Sequence, residues 1–551
     1  MNLNLPEPKW SRLDRAFARF FSQRCQINEF DSSELYALLA ELSFQQNQGH
    51  SCIYLNSQQL QLIRDSGLAC EIPNDYLELP TATHPLIIQH HCLYTHRYWF
   101  YEQRLALQLR QRFILTKLTD HFDHLLARYF PKINSEVIDW QAEAARCALM
   151  NHFAMISGGP GTGKTTTVIK ILGLLLEYYS PNLQIALAAP TGKAAMRLQE
   201  SIGIHIQNLP CSDTIKQQIP RQVYTIHRLL GALPPSPYFR YHADEPLPYD
   251  VVVIDEASMV DLALMSKLID ALLPESRLIL LGDKDQLASV ESGAVLADLT
   301  QALPQYTVEL KQAYRFQNDI KQFAQAINQQ NSEAAWELLK NDTVSIQHFT
   351  EDFIGYIAEQ QSAYLDLIQQ QADFVTIYRC FQQFQTLCAT RLGYRGVIFI
   401  NQAVEKQLAM MQKISLSHAW YCGRPIMIQQ NNPSLNLYNG DIGICLIDID
   451  QQLKVFFLGT EGLIHKILPA RLPDCETVFA MTIHKSQGSE FERILMILPS
   501  TMNPILTKEL IYTGITRAKK SLAIVTEEAI FKSAISQKIQ RYGGLLAKWK
   551  V

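Results

Sequence analysis

The eleven cysteines include no C-x-x-C pair, and their number is odd. That argues against a zinc ribbon and a disulfide framework, and it fits a reducing cytoplasm. Nowhere do eighteen apolar residues run together, so no membrane-spanning helix is expected. The opening MNLNLPEPKWSRLDRAF places Pro, Glu, Lys and Asp where a secretory leader needs an apolar core. Positive charge is not in excess either. The net charge is −4, so any nucleic acid has to be held by a local groove rather than by a bulk field. Glutamine-rich stretches such as EQQSAYLDLIQQQ are interleaved with apolar residues, which excludes a low-complexity tract, and no repeat of solenoid period is present. What is there is an ordinary globular composition, 47% hydrophobic, in 551 residues. That length exceeds one core and suits three or four domains. The expectation is a soluble cytoplasmic protein with no membrane partner.

The texture changes along the chain. Residues 1–132 carry helix-period leucines and aromatics, as in SSELYALLAELSFQ and RYWFYEQRLALQLRQRF, and read as a mainly helical docking domain. His84, His90, His91 and His96 cluster there, but no acidic or cysteine ligand stands at site-like spacing, so they do not make a metal site. From Asp139 short apolar runs alternate with helix-length spans: FAMIS, IALAA, VVVID and LILLG. Runs apolar on both faces suit buried parallel strands, and the alternation predicts a doubly wound α/β lobe over 133–303. TLCATR, GVIFIN, VFAMT, ILMILP and LAIV form a second series, predicting a second such lobe from 304–418 and 474–551. Between its halves, 419–473 holds β-forming stretches (RPIMIQQ, DIGICLIDID, LKVFFLG) with a turn at Asn439-Gly440, the pattern of a small antiparallel insertion.

Three segments carry chemistry. ISGGPGTGKTTTV follows the first apolar run and opens a helix, matching G-x-x-x-x-G-K-[ST] from Gly158 through Gly159, Pro160, Gly161, Thr162 and Gly163 to Lys164 and Thr165, with Thr166 behind. Glycines let backbone amides turn inward around an anion at a helix N-terminus. Lys164 is placed to reach β and γ phosphates and the Thr165 hydroxyl to ligate Mg2+. VVVIDEASMVD supplies the matching carboxylates at the end of another buried strand: Asp255 for the metal through water, Glu256 for the attacking water. LILLGDKDQLASV ends a third strand with Gly282, Asp283 and Gln286, a neutral amide able to sense a γ-phosphate. These predict a site for ATP and Mg2+.

In this order, and followed by AYRF, MTIHKSQGSEF and YTGITRA, the segments resemble the motifs of superfamily 1 helicases. GGPGTGKTTT, APTGKAA, IDEASMVD, GDKDQLASV and YNGDIG are similar to the RecD-like branch, whose namesake is the alpha subunit of bacterial exonuclease V. The resemblance is dense from Asp139 onward and weaker upstream through LYTHRYWFYEQRLA. It implies two RecA-like lobes, a helical N-terminal domain and an SH3-like insertion. It implies that Gln141 reads adenine, that Gly488 and Glu490 approach nucleotide phosphate and ribose, and that Arg315 and Arg517 reach ATP from the second lobe. Pro190, Thr191, Thr482 and His484 are implied to lie along single-stranded DNA. The implied activity is 5′ to 3′ translocation on DNA within a heterotrimer with RecB and RecC, acting on single strands and on duplex ends. A stand-alone RecD-like or conjugative helicase is the alternative, and an ATP-gated scaffold is a third reading. No carboxylate cluster with a metal-site lysine stands outside the ATP motifs, so no nuclease centre is expected in this chain.

Overall fold

The computed structural model describes residues 9–25, 29–76, 78, 84–131, 138–289, 291–311, 318–350, 352–459 and 462–549. The N-terminal region packs helices Arg12–Ser22, Glu29–Asn47 and Ser57–Asp65 beside a small sheet. Its strands β1 (Cys52–Tyr54), β2 (Ala69–Glu71), β3 (Leu86–Gln89) and β4 (Cys92–Thr95) lie in the order β1-β4-β3-β2. Sequence pattern alone missed this sheet, because strands of three or four residues are too short to show a period.

The first lobe is built on six parallel strands: β5 (Phe153–Ser157), β6 (Ile185–Ala189), β7 (Tyr224–Thr225), β8 (Val251–Ile254), β9 (Arg277–Gly282) and β10 (Thr307–Glu309). Their order is β10-β5-β9-β8-β6-β7. Every residue of β5, β6, β8 and β9 is buried, which is why these runs are apolar apart from Ser157 and Arg277 at strand ends. Strand β10 pairs with β5 through Thr307 and Met155, so the first sheet continues past the boundary expected at 303. Edge pairing, which leaves little trace in composition, carries the chain that far.

The sheet of the second lobe begins with β11 (Ile346–His348) and β12 (Phe384–Cys388). The insertion follows as β13 (Pro425–Ile428), β14 (Ile442–Ile447), β15 (Leu453–Leu458), β16 (Ile464–Ile467) and β17 (Cys475–Thr477). These form one antiparallel sheet ordered β16-β15-β14-β13-β17 around Ile426, Ile428, Cys445, Val455 and Phe457. Its last strand lies beyond the expected end at 473. Strands β18 (Ala480–Thr482), β19 (Phe491–Ile497) and β20 (Ala518–Val525) complete the second parallel sheet, ordered β11-β20-β19-β12-β18.

GVIFIN is not a strand. It opens the helix Val397–Met410, which buries Val397, Ile400, Asn401, Val404 and Leu408 and leaves Ile398 and Phe399 outward. A run of four apolar residues reads the same for either element, and the helical spacing of the residues after it decides. Asn401 then fastens this helix to β18: its amide donates to the carbonyls of Thr477 and Ala480 and accepts from the Ala480 amide.

Beyond the second lobe the chain returns to the N-terminal region. Ser51 N–H donates to the Tyr542 carbonyl (2.9 Å), and Gly544 N–H to Glu102 (3.1 Å). Lys548 Nζ donates to Gln89 and Gln103 at 2.7 and 2.8 Å, buried so deeply that its pKa is pushed down to about 8. Among the described residues, no helix is long and apolar enough to cross a membrane, and no group of three His, Cys, Asp or Glu side chains could hold a metal ion.

Candidate active site

One cavity of about 120 Å³ is lined from both lobes. Pro160, Gly161, Gly163, Lys164, Thr165 and Thr166 form one wall, and Asp255, Glu256 and Gln286 form the floor. Gly488, Glu490 and Arg517 close it from the second lobe.

The loop owes its shape to glycine at two places. Gly161 and Gly163 have φ of +76° and +84°, a region that side chains strain to enter, and Gly163 caps the helix Lys164–Tyr178. The loop is closed by Thr162 Oγ1, which donates to the Gly159 carbonyl at 2.7 Å. Lys164 Nζ lies across it, donating to the carbonyls of Gly158 (2.5 Å) and Gly159 (3.2 Å). Gln141 sits at the loop's outer side, its amide 3.5 Å from the Thr162 carbonyl.

The carboxylates stand just past the C-terminal ends of β8 and β9. Burial, and then Glu256 beside it, pushes Asp255 up to about 6. Burial pushes Asp283 to about 6 as well, against the pull of Lys164. Glu256 adopts φ +52°, a left-handed conformation that costs a non-glycine residue on the order of 1 kcal/mol and recurs where a side chain must be aimed. Gln286 donates to Asp283 Oδ2 at 3.1 Å.

Arg517 is 2% exposed. Its Nε donates to the Thr513 carbonyl and its Nη1 to the Ser489 carbonyl, both at 3.1 Å, and its Nη2 to the Thr516 hydroxyl at 3.5 Å; among the described residues it meets no carboxylate at salt-bridge distance. Burial lowers its pKa, and Glu256 raises it in part. Arg315 lies outside the described residues. Gly488, at φ +73°, comes against Ala194 of the helix Gly192–Ile206 in the first lobe.

The segments expected along DNA also follow strands. Pro190 and Thr191 come directly after β6, and Thr191 Oγ1 accepts from Ala194 N–H to start the next helix. Thr482 ends β18, and His484 lies in the turn behind it, its pKa lowered by burial. Side chains at the carboxyl ends of parallel strands face the crevice where ligands of such sheets bind.

Sequence reading missed three cross-lobe residues. Arg197 donates to the Gly488 carbonyl at 2.6 Å and pairs with Glu490 at 2.9 Å. Tyr438 of the insertion packs on Gly192, where an added Cβ would meet it at 3.2 Å. Tyr512 donates to Asp283. A helical phase from Lys193 to Arg197 was a signal available for the first; Tyr438 and Tyr512 open the segments YNGDIG and YTGITRA, but nothing local to either says that its side chain crosses the cleft.

Family models match three separate stretches of the chain. An AAA domain model matches residues 141–292, a UvrD-like helicase C-terminal domain 477–525, and the N-terminal domain of RecBCD enzyme subunit RecD 7–83. The RecBCD enzyme subunit RecD of Haemophilus influenzae is 36% identical over 534 residues, 84% of this chain and 80% of its own. The chain belongs to the RecD family.

Its relation to another branch is partial. The ATP-dependent RecD2 DNA helicase of Deinococcus radiodurans is 31% identical to this RecD-family chain over 372 residues, which is 67% of this chain but 46% of that one. Among solved structures, the Pif1 helicase from Bacteroides in complex with ADP-AlF3 and ssDNA aligns over 77% of this chain and 95% of its own. At 17% identity and a TM-score of 0.41, that likeness is too loose to carry an argument.

Proposed function

We propose that this chain is an ATP-dependent DNA helicase and translocase, working 5′ to 3′ in the cytoplasm as the RecD subunit of a heterotrimer with RecB and RecC. Its substrates are single-stranded DNA and duplex DNA with ends, in the repair of double-strand breaks, homologous recombination and the degradation of linear DNA. The observation that carries the reading is the split cavity, with the phosphate loop on one lobe and a buried guanidinium, Arg517, on the other.

Each residue then has a task. The amides around Gly161 and Gly163 cradle the triphosphate, and Lys164 exchanges its loop carbonyls for phosphate oxygens. Gln141 faces the adenine, and Glu490 the ribose. Mg2+ fits the donor set of Thr165 and Asp255, since a buried carboxylate pushed to about 6 is relieved by a divalent cation. When bound, that ion neutralises charge on the phosphates. Glu256 accepts the proton of the attacking water, and Gln286 holds that water in line. Arg517, with Arg315, meets charge that develops on the γ-phosphoryl oxygens, a task worth about 10³ to 10⁵ in rate.

Splitting the site also makes it a motor. A nucleotide touching both lobes draws them together, and hydrolysis removes the bridge. Pro190 and Thr191 on one lobe and Thr482 and His484 on the other grip the strand in alternation, and the SH3-like insertion steadies it.

The test is co-expression with RecB and RecC, followed by strand-polarity measurement on DNA labelled at one end. Co-purification and 5′ to 3′ movement are expected. A fully active monomer that ignores RecB and RecC would favour the stand-alone reading, and movement in the opposite sense would overturn the polarity.

A further inference from the structure

The helix Lys508–Ile515 of the second lobe lays one face on the loop that follows β9 in the first. Lys508 Nζ is 3.9 Å from Asp285 Oδ1. The Tyr512 hydroxyl donates to Asp283 Oδ2 at 3.1 Å, and Thr513 Oγ1 accepts from Leu287 N–H at 2.9 Å. The four-residue spacing puts Lys508 and Tyr512 on one helical face, Thr513 follows Tyr512 in the chain, and all three are buried.

Tyr512 reaches furthest. A Cβ added to Gly159 would lie 2.9 Å from its hydroxyl, so that oxygen stands over the phosphate loop itself. The helix ends two residues before Arg517, and Arg517 Nε is bonded to the Thr513 carbonyl. A shift of the helix therefore carries the guanidinium with it.

We propose that Tyr512 is a positioning residue for ATP hydrolysis. Its hydroxyl, held by Asp283 across the cleft, sets the height of the Lys508–Ile515 helix and so places Arg517 in the cavity. The inference rests on the reading of Arg517 given above and adds the residue that aims it. Gln286 and Tyr512 share one oxygen of Asp283, so the amide facing the γ-phosphate and the helix carrying the guanidinium are joined through a single carboxylate. A placement error of about 1 Å in such a site costs about 10² in rate.

Tyr512→Phe removes the hydroxyl and keeps the ring in its packing. ATP turnover by the full chain, saturated with single-stranded DNA, is measured for Tyr512→Phe, Arg517→Ala and the double variant. The phosphate-release assay must be sensitive enough to read the residual Arg517→Ala rate. Tyr512→Phe is expected to lower kcat about 10- to 100-fold with KM for ATP within about twofold of the parent. Because the hydroxyl acts through Arg517, the double variant is expected to be no slower than Arg517→Ala. A Tyr512→Phe variant as fast as the parent, losses that multiply in the double variant, or a fall in kcat matched by a collapse of Tm overturns the inference. Parental turnover by Arg517→Ala would instead overturn the functional reading beneath it.

Discussion

The nucleotide cleft and the inserted sheet treat the same side chain in opposite ways. In the cleft, burial pushes Asp255 and Asp283 up to about 6, and Lys164 offsets this only in part. In the insertion, Asp448 is hydrogen-bonded by Lys454 (2.8 Å) and Lys466 (2.7 Å), and those ammonium groups hold it well below the usual carboxylate range. One region stores uncompensated charge and the other has already neutralised it. Chemistry belongs to the first kind of place, because a buried charge without its full complement is what a cation, a phosphate or a moving proton can satisfy.

The sharpest way to break the contrast is to remove the cleft's own cation. Lys164→Gln is expected to drop ATP turnover to background with far-ultraviolet circular dichroism unchanged; wild-type turnover would reject the site. Arg517→Ala should slow hydrolysis by about 10³ or more while ATP affinity, measured by equilibrium binding, changes much less. Equal rates would return Arg517 to a structural role.

A stability measurement tests the charge argument without catalysis. Asp283 folded has its carboxyl near 6, against about 3.9 when unfolded, so the native state holds the extra proton between those values and loses stability as pH rises through them. Asp283→Asn should therefore be more stable than the parent at pH 7, by about 1–3 kcal/mol, and the advantage should vanish below about pH 4. A variant less stable at pH 7 would mean that the lost carboxylate was net favourable. Asp448→Asn is the counterpart in the insertion, with an expected Tm change under about 2 °C and no change in turnover. DNA binding should respond to salt with a slope of roughly −0.7 per phosphate contacted, and a flat response would remove the groove.

Legibility followed the distance between partners. The phosphate loop is complete within Gly158 to Thr166, and its strand and helix adjoin it, so residue order and geometry coincide. That Asp255, Glu256 and Gln286 would line one cavity was readable because each follows a fully buried strand, and strands of one parallel sheet aim their carboxyl ends at one crevice. GVIFIN was misread because four apolar residues satisfy either period. The N-terminal sheet and strand β10 escaped because short strands are defined by their neighbours.

The amino-acid order by itself determined local features: a glycine-rich loop opening a helix from Gly158 to Thr166, acidic residues directly after apolar runs, and an arginine, Arg517, with no Asp or Glu between Leu510 and Val525. Those depend on backbone conformation and spacing over a few residues, which local sterics settle. Only the tertiary structure decided what meets across the cleft, where Arg197 grips Gly488 and Glu490 and Tyr512 reaches Asp283. Such pairs lie hundreds of residues apart. Their contact depends on how two packed sheets are set against each other, a property of the whole core that no short segment encodes.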